Sequence, residues 1–248
     1  MKPQRLDKFV STQGALTRSA ATSQIRRGNV TVNGTVLRDP SAKVNPETDV
    51  VTLGGNPLAF AEHMYLIMNK PAGILCVSRD PNAETVLDLV PQSLRRAGMF
   101  PAGRLDKDTT GLVILTDDGD FGHRLTSPKH LVEKVYYARV DAPVFDGVIK
   151  AFEKGTHLPD GTPCAPAKLR VIEDGAEPLC EVTVTEGKYH QIKRMFGTHD
   201  LGVNALHRHS IGALTLPDDL AEGEVRVLSD SEKDAVFMEK TPKTPNLL

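Results

Sequence analysis

The part of this sequence best equipped for chemistry is a short polar segment that precedes an apolar run. Residues 103–111 contain Arg104, Asp106 and Asp108, and the run Leu112–Leu115 follows directly. A short apolar run bounded by turn residues indicates a buried strand, so the polar segment is predicted to be a loop held by that strand. Rigidly held loops often carry catalytic groups, and this one suits chemistry that depends on a carboxylate. The local residues also fit a simpler turn, in which the two aspartates cap backbone N–H groups.

The elements that hold this loop can be predicted from hydrophobic patterning. After residue 62, strands are predicted at Tyr65–Met68, Val135–Val140 and Leu179–Thr185, helices at Glu84–Val90, Phe145–Lys154 and His190–Thr198, and a bent strand or hairpin at Val203–Leu216. Short strands mixed with a few helices are typical of an α+β domain. We therefore expect a mixed, largely antiparallel sheet flanked by helices.

Residues 1–55 are predicted to form a separate, compact αα-ββ unit. Apolar residues spaced three and four apart indicate a first helix around Leu6–Val10. Thr17 is placed to cap a second helix, and Gly28 is placed to end it. Asn33-Gly34 between two β-type runs is a strong hairpin signal.

The predicted domain organisation follows from these elements and from the Gly- and Pro-containing stretch after residue 53. Residues 56–62 are predicted to be a linker, residues 63–230 a larger α+β domain, and residues 231–248 a C-terminal tail. The stretch 229–248 combines a last helix with a polar end that we expect to fray.

Charge is distributed unevenly along the chain. The net charge is -2, yet residues 1–55 carry eight basic and four acidic side chains and the remainder carries 22 basic and 28 acidic ones. A basic module on an acidic body suggests a polyanionic partner, although solvated helix faces could produce the same excess.

Cysteine usage and hydropathy point to the cytoplasm. The three cysteines, Cys76, Cys164 and Cys180, are widely spaced, which argues against a disulfide framework. The sequence contains neither an apolar run of membrane-spanning length nor an apolar signal region after its basic start, so we expect no membrane association and no secretion. We also expect a monomer, since the sequence carries no oligomer signal, and no metal site, since the histidine and cysteine spacings are poor for zinc.

Five short motifs stand in a fixed order along the chain. They are Arg5-Leu6-Asp7-Lys8-Phe9, Asn69-Lys70-Pro71-Ala72-Gly73, Gly-Arg-Leu-Asp-x-x-Thr-x-Gly-Leu at 103–112, Lys134-Val135-Tyr136, and Glu186-Gly187-Lys188-Tyr189-His190-Gln191-Ile192-Lys193-Arg194-Met195-Phe196. The ordered set resembles the pseudouridine synthases, in particular the subfamily that modifies ribosomal RNA. The first motif resembles the start of the RNA-binding module named after small-subunit ribosomal protein four. The resemblance covers most of the chain and implies a central mixed sheet with an RNA cleft across it.

The resemblance implies an isomerisation that needs no cofactor. Converting uridine to pseudouridine breaks the C1′–N1 bond and joins C1′ to C5 of the same base, so no atoms are added. By resemblance, Asp106 is the essential carboxylate. It could attack the base, attack C1′ or abstract the ribose 2′ proton, and the sequence does not choose among these routes. Each route needs an ionised carboxylate and therefore a nearby cation.

Three further residues receive catalytic roles from the resemblance. Lys193 is expected to face Asp106 from a helix, the alternative being an exposed helix lysine. Tyr136 is expected to stack on the target base, and its neighbour Tyr137 to face the other side of the strand. Arg104 is expected to help extrude the nucleotide or to fill the vacated stack, the alternative being an exposed loop arginine. Asp108 is interpreted as a turn cap rather than a second catalytic acid.

RNA contacts are assigned to basic residues outside the catalytic set. The candidates are Arg5, Lys8, Arg18, Arg26, Arg27, Lys70, Arg194 and Arg208. Arg26 and Arg27 could equally complement the dipole at a helix C-terminus. Lys70, at a predicted strand end, is either RNA-facing or structural.

The sequence therefore predicts a cytoplasmic, bacterial-type rRNA pseudouridine synthase. The Thr-Thr-Gly-Leu after Asp106, the Lys193–Phe196 run and the chain length favour resemblance to the small-subunit enzymes, which act on uridine 516 of 16S rRNA. We expect the substrate to be 16S rRNA within a partly assembled small subunit. The alternatives are a 23S rRNA synthase of the same subfamily, a non-catalytic RNA-binding protein of ribosome assembly, and a carboxylate-dependent hydrolase.

Overall fold

A computed structural model describes residues 2–14 and 16–239, which divide into two compact units. The first unit comprises the chain up to Met64 together with Val90–Met99. The second comprises Tyr65–Leu89 and the chain from Phe100 onward. The inclusion of Val90–Met99 in the first unit has no counterpart in the domain boundaries predicted from the sequence.

Among its described residues, the first unit has two α-helices and six short strands. They are β1 (Gln4–Arg5), α1 (Leu6–Gln13), α2 (Arg18–Arg27), β2 (Val30–Val32), β3 (Thr35–Val36), β4 (Lys43–Val44), β5 (Val51–Leu53) and β6 (Asn56–Pro57), with a 3-10 helix at Gln92–Leu94. Strands β3, β2, β5 and β6 form one antiparallel sheet in that order, and β1 pairs with β4. Buried residues from both helices and three strands form its core: Leu6, Phe9, Val10, Ala21, Ile25, Val30, Val44 and Val51.

Local signals explain why this unit folds as the sequence predicts. The Thr17 hydroxyl accepts a hydrogen bond from the Ala20 N–H and caps α2, as expected. Gly28 ends α2 in the left-handed conformation at a φ of 82°. Asn33 and Gly34 both adopt positive φ, the geometry of a tight turn between β2 and β3. The predicted αα-ββ arrangement is confirmed.

The second unit is an α+β domain around one mixed sheet. Its elements are β7 (Tyr65–Lys70), β8 (Phe100–Ala102), β9 (Thr110–Thr116), α3 (Gly119–Thr126), a 3-10 helix at Pro128–His130, β10 (Lys134–Val140), α4 (Asp146–Lys154), β11 (Lys168–Glu173), β12 (Leu179–Val184), α5 (Gln191–Gly197), β13 (Val203–Ile211), β14 (Leu214–Thr215), β15 (Val225–Val227) and α6 (Asp230–Ala235). The strand order is β11-β12-β10-β13-β9-β7-β15, with β14 beside β13 and β8 beside β9. The predicted fold class is confirmed.

Two features at the sheet centre matter for the site. Strands β9 and β13 are parallel neighbours, and Gly111 lies opposite Arg208. A Cβ at Gly111 would collide with the Arg208 carbonyl, so this close approach requires glycine. Between β10 and β13 the register shifts after Val135, so Tyr136 lies opposite Arg208 rather than His209. This bulge places the tyrosine and the arginine as a cross-strand pair.

Most predicted elements of the second unit are present, but one helix is not. The strand after residue 111, the helices α4 and α5, and the β13–β14 hairpin are confirmed. The predicted helix at Glu84–Val90 is wrong, because Thr85 forms a β-bridge with Leu75 and donates two hydrogen bonds to the Asp88 carboxylate. These bonds hold the segment in turns. The last predicted helix corresponds to α6, and residues 240–248 of the predicted tail lie outside the described residues.

Across residues 2–14 and 16–239, no helix has the length and apolar character needed to cross a membrane.

Candidate active site

Asp106 lies in the loop between β8 and β9, as the sequence predicts. Its side chain is 26% exposed and lines a pocket with Arg104, Tyr136 and His190. Thr109, at the end of the loop, is buried and lines the same pocket. Within the described residues, its hydroxyl has no hydrogen-bond partner. The pocket therefore combines the accessible Asp106 carboxylate with an aromatic ring, a guanidinium and an imidazole, and the carboxylate of Glu186 also lines it.

Lys70, at the end of β7, holds this loop through hydrogen bonds to backbone carbonyls. Its ammonium donates hydrogen bonds to the carbonyls of Pro71, Lys107 and Thr109 at 3.0, 3.0 and 2.9 Å. The residue is fully buried, and this burial lowers its pKa, whereas nearby acidic groups including Asp106 oppose the shift. The assignment of Lys70 as an RNA contact is wrong, because a fully buried side chain at the end of β7 cannot reach a phosphate.

Arg208 fixes the other end of the loop. Its Nε donates to the Leu112 carbonyl at 2.7 Å, its Nη2 donates to the Gly103 carbonyl at 2.9 Å, and its Nη1 donates to the Tyr136 hydroxyl at 3.3 Å. The side chain is 1% exposed. The guanidinium therefore holds the loop and the Tyr136 hydroxyl from a buried position, and its predicted phosphate contact stays a prediction.

Tyr136 and Tyr137 face opposite sides of β10, as predicted. Tyr136 lines the pocket beside Asp106 and receives the hydrogen bond from Arg208. Tyr137 stacks instead on His209, with ring centroids 4.9 Å apart. Strand alternation therefore leaves Tyr136 as the member of the pair that can meet a substrate in the pocket.

Lys193 does not face Asp106. Its ammonium lies 2.6 Å from both oxygens of Asp108, and hydrogen bonding to Lys193 lowers the pKa of that carboxyl. The expected pairing assumed that His190 and Lys193 share one helical face. However, α5 begins at Gln191, and His190 precedes it in the left-handed conformation. Asp108, interpreted as a turn cap, instead ties the loop to α5.

His190 takes the place beside Asp106 that was assigned to Lys193. Its Nε2 lies 3.5 Å from an Asp106 oxygen, and its ring stacks on Tyr189 with centroids 3.9 Å apart. Sequence reasoning missed this residue as a site candidate. The signal was available, because His190 stands three positions before Lys193 in the same motif.

A hydrogen-bond network supports the opposite wall of the pocket. Glu186 accepts hydrogen bonds from Gln191 at 2.9 Å and from the Lys188 ammonium at 2.6 Å. The Gln191 side chain also accepts from the Lys188 N–H at 2.9 Å. These bonds fix the segment between β12 and α5, and none of the three residues was predicted from the sequence to belong to the site.

Comparisons with known proteins identify the family of this chain. A family model for RNA pseudouridylate synthases matches residues 64–198, more than half of the chain. This protein belongs to the RNA pseudouridylate synthase family. The pseudouridylate synthases are isomerases, so the chain is an enzyme of that class. An S4 domain matches residues 4–51.

Similar proteins extend the match to almost the whole synthase. The chain is 43% identical over 231 residues to the ribosomal small subunit pseudouridine synthase A of Escherichia coli K12, covering 92% of this chain and 97% of that protein. It is 38% identical to an uncharacterized RNA pseudouridine synthase of Bacillus subtilis, covering 92% and 96%. A crystal structure of a pseudouridylate synthase matches with a TM-score of 0.65 and 38% identity, covering 94% of this chain and 99% of that one.

The first unit of the synthase contains the S4 match and is called the S4 unit below; it presents its basic residues in two ways. Lys8, Arg26 and Arg27 are exposed, and the two arginines line a shallow surface groove along α2. Arg5 and Arg18 instead share the carboxylate of Asp7, at 2.9 and 3.0 Å. Hydrogen bonding from Arg5, supported by Arg18, lowers the pKa of Asp7 to about 2.

In the catalytic unit of the synthase, Arg194 is also paired. Its guanidinium lies 2.6 Å from a carboxylate oxygen of Asp160, and hydrogen bonding to Arg194 lowers the pKa of Asp160 to about 2. Its proposed phosphate contact would have to compete with this ion pair.

Proposed function

We propose that the synthase isomerises uridine 516 of 16S rRNA, with Asp106 as the essential carboxylate. The observation that carries the catalytic assignment is the shared pocket of Asp106, Tyr136 and Arg104 at the sheet centre. The choice of substrate is supported by the 43% identity with the E. coli small-subunit synthase. We further propose that the enzyme acts as a cytoplasmic monomer on a partly assembled small subunit.

The loop that carries Asp106 is held firmly enough to position a catalytic group. Lys70 binds the carbonyls of Lys107 and Thr109, and Arg208 binds that of Gly103. The Asp106 carboxylate thus occupies a fixed place in the pocket while its side chain stays accessible. Preorganisation of this kind reduces the reorganisation needed in the transition state.

The proposed reaction divides among the pocket residues. The C1′–N1 bond of the flipped uridine breaks, the base turns, C1′ bonds to C5, the C5 proton leaves and N1 gains a proton. Asp106 acts on the ribose or the base by one of the three routes above, and His190 faces its carboxylate. The Tyr136 ring stacks on the detached base. Arg104, exposed at the pocket edge, fills the stack from which the base has moved, an extrusion that takes a few kcal/mol.

The test is to map pseudouridine in 16S and 23S rRNA from cells that lack this gene. One modification should disappear, at uridine 516. It should return with the wild-type gene and with Asp146→Asn, a control at an exposed carboxylate of α4, but not with Asp106→Asn. Purified Asp106→Asn should keep its RNA affinity within about tenfold, because only a group needed for chemistry is removed.

Other outcomes would overturn parts of this proposal. A lost site in 23S rRNA would contradict the choice of substrate and leave the reaction intact. Restoration of the modification by Asp106→Asn would contradict the catalytic role of that residue.

A further inference from the structure

A second cavity adjoins the catalytic pocket and shares part of its wall. It has a volume of about 400 Å³ and lies among β8, the C-terminal half of α3, β10 and β13. Arg104, Tyr136 and Gly187 line both spaces, whereas Asp106 lines the catalytic pocket but is not among the residues that line the second cavity. A group bound in the second cavity would therefore be a near neighbour of a base held at Asp106.

The lining of this cavity is basic. Arg104, His123, Lys134 and Arg208 contribute to it, and the lining found among the described residues includes no aspartate or glutamate. Two of the four are deeply buried, with Lys134 5% and Arg208 1% exposed. Charges buried without a counterion are unfavourable, so an anion that enters the cavity would relieve this cost.

Lys134 has hydrogen-bonding capacity left for such an anion. Its ammonium carries three N–H donors, of which one is used by the Val132 carbonyl at 2.8 Å. Burial, reinforced by the nearby charge of Arg208, lowers the pKa of Lys134 to about 8. Strand alternation places Lys134 and Tyr136 on the same face of β10, so the lysine lies beside the tyrosine that meets the base.

We propose that this cavity is a phosphate subsite, which binds a phosphodiester group of the RNA strand next to the flipped uridine. The inference rests on the proposed function and adds to it the recognition of one particular backbone group. A phosphodiester presents the oxygens that lysine and arginine donors prefer. The cavity is larger than a phosphate group and leaves space for an attached ribose.

The experiment scans the RNA backbone for one charge that the cavity recognises. The substrate is a 16S rRNA fragment around the target uridine, built by ligation and bound with small-subunit proteins if turnover requires them. Single uncharged methylphosphonate linkages are placed on either side of the target, and release of tritium from C5 gives kcat and KM. For the wild type, one linkage should raise KM about tenfold at nearly constant kcat, as expected for a lost charge-assisted hydrogen bond.

The variants tie that linkage to the cavity. Lys134→Gln should raise KM for the unmodified RNA about tenfold and should be insensitive to the critical methylphosphonate, because the same interaction is already lost. His123→Glu, at an exposed position of the lining, should also raise KM, and the methylphosphonate should partly restore it by removing repulsion. His130→Glu, exposed and outside the lining, is the matched control. If Lys134→Gln does not fold, the comparison of His123→Glu with His130→Glu still decides whether the cavity binds the phosphodiester.

The outcomes separate this inference from the function on which it rests. If the wild type turns over the fragment but every linkage has the same effect in the wild type and in His123→Glu, the subsite is wrong and the function stands. If the wild type fails to modify the fully charged 16S substrate, the proposed function itself is wrong, and the subsite with it. Free inorganic phosphate should also compete with the RNA at this cavity. If phosphate weakens RNA binding by the wild type but not by His123→Glu, that result would further support an anion subsite.

Discussion

The two units of this synthase use their positive charges differently. In the S4 unit, Arg26 and Arg27 are exposed along α2, where a polyanion can reach them. In the catalytic unit, Lys70, Lys134 and Arg208 are buried and donate to backbone carbonyls. The comparison teaches that a basic residue in an RNA enzyme is as able to build the site as to bind the RNA. For Lys70, whose ammonium is fully enclosed and donates to three carbonyls, burial leaves only the first use.

The largest effect is expected where a buried cation is removed. Lys70→Met leaves three carbonyls without their donor and frees the Asp106 loop. We expect the free energy of unfolding to fall by about 3 kcal/mol, since buried polar groups are left unsatisfied. We also expect kcat to fall about a hundredfold, because a displacement of about 1 Å in a catalytic group has that effect. Urea unfolding and pseudouridine formation measure the two quantities.

The control for this change is the same substitution at a surface lysine. Lys150→Met, at an exposed position of α4, should alter neither quantity. A Lys70→Met enzyme that unfolds more readily but keeps its kcat when folded would show that the ammonium stabilises the unit without positioning the loop.

A smaller effect is expected from changing the shape of a buried cation while keeping its charge. Arg208→Lys cannot reach the carbonyls of Leu112 and Gly103 and the Tyr136 hydroxyl at once, because an ammonium lacks the planar fork of a guanidinium. We expect kcat to fall about tenfold at nearly unchanged KM. Steady-state kinetics would distinguish this result from a raised KM at constant kcat, which a simple phosphate contact would give. Arg170→Lys, in an exposed ion pair on β11, is the matched control.

These buried cations also mark the limit of sequence reasoning. Local signals sufficed for Thr17, Gly28 and Asn33-Gly34, because a cap or a tight turn depends on residues that are close in sequence. The burial of Arg208 depends on two distant events, its parallel approach to Gly111 and the bulge that sets it opposite Tyr136. Neither event has a pattern in the sequence around residue 208.

The candidate site shows the same division. Asp106, Tyr136 and Arg104 were identified through motifs and do share one pocket. Their partners were assigned less well, since Lys193 binds Asp108 and His190 faces Asp106. The error came from treating His190 as a helical residue, whereas its positive φ ends the loop one residue before α5. A one-residue change in a helix start is enough to exchange the partners of two side chains.

The exposed arginines of the S4 unit should affect binding rather than turnover. Arg26→Gln with Arg27→Gln should weaken RNA affinity severalfold and lower the slope of log affinity against log salt by about 1 to 2, since each phosphate contact releases counterions. At saturating RNA, kcat should not change. Titrations at several salt concentrations measure the slope. Lys150→Gln with Lys154→Gln, which removes two exposed charges from α4, should leave it unchanged. An unaltered slope in the arginine variant would place the RNA elsewhere on this unit.

The smallest effect is expected for two arginines that are exposed, like Arg26 and Arg27, but paired with a carboxylate. Arg5 and Arg18 are 46% and 58% exposed, yet both bind the Asp7 carboxylate. Because the pKa of Asp7 is lowered to about 2, its pairing stabilises the folded unit above about pH 4 and is lost as the pH falls from about 4 to 2. Solvent screening at two half-exposed arginines limits the contribution to about 1 kcal/mol. The free energy of unfolding of Asp7→Asn should therefore lie below that of the wild type at pH 6, and the two should converge near pH 2. Asp146→Asn should follow the wild type throughout. If the free energies of unfolding of the wild type and Asp7→Asn instead differ by the same amount down to pH 2, Asp7 does not hold the two arginines. Arg5 and Arg18 would then be available to bind RNA, as Arg26 and Arg27 are.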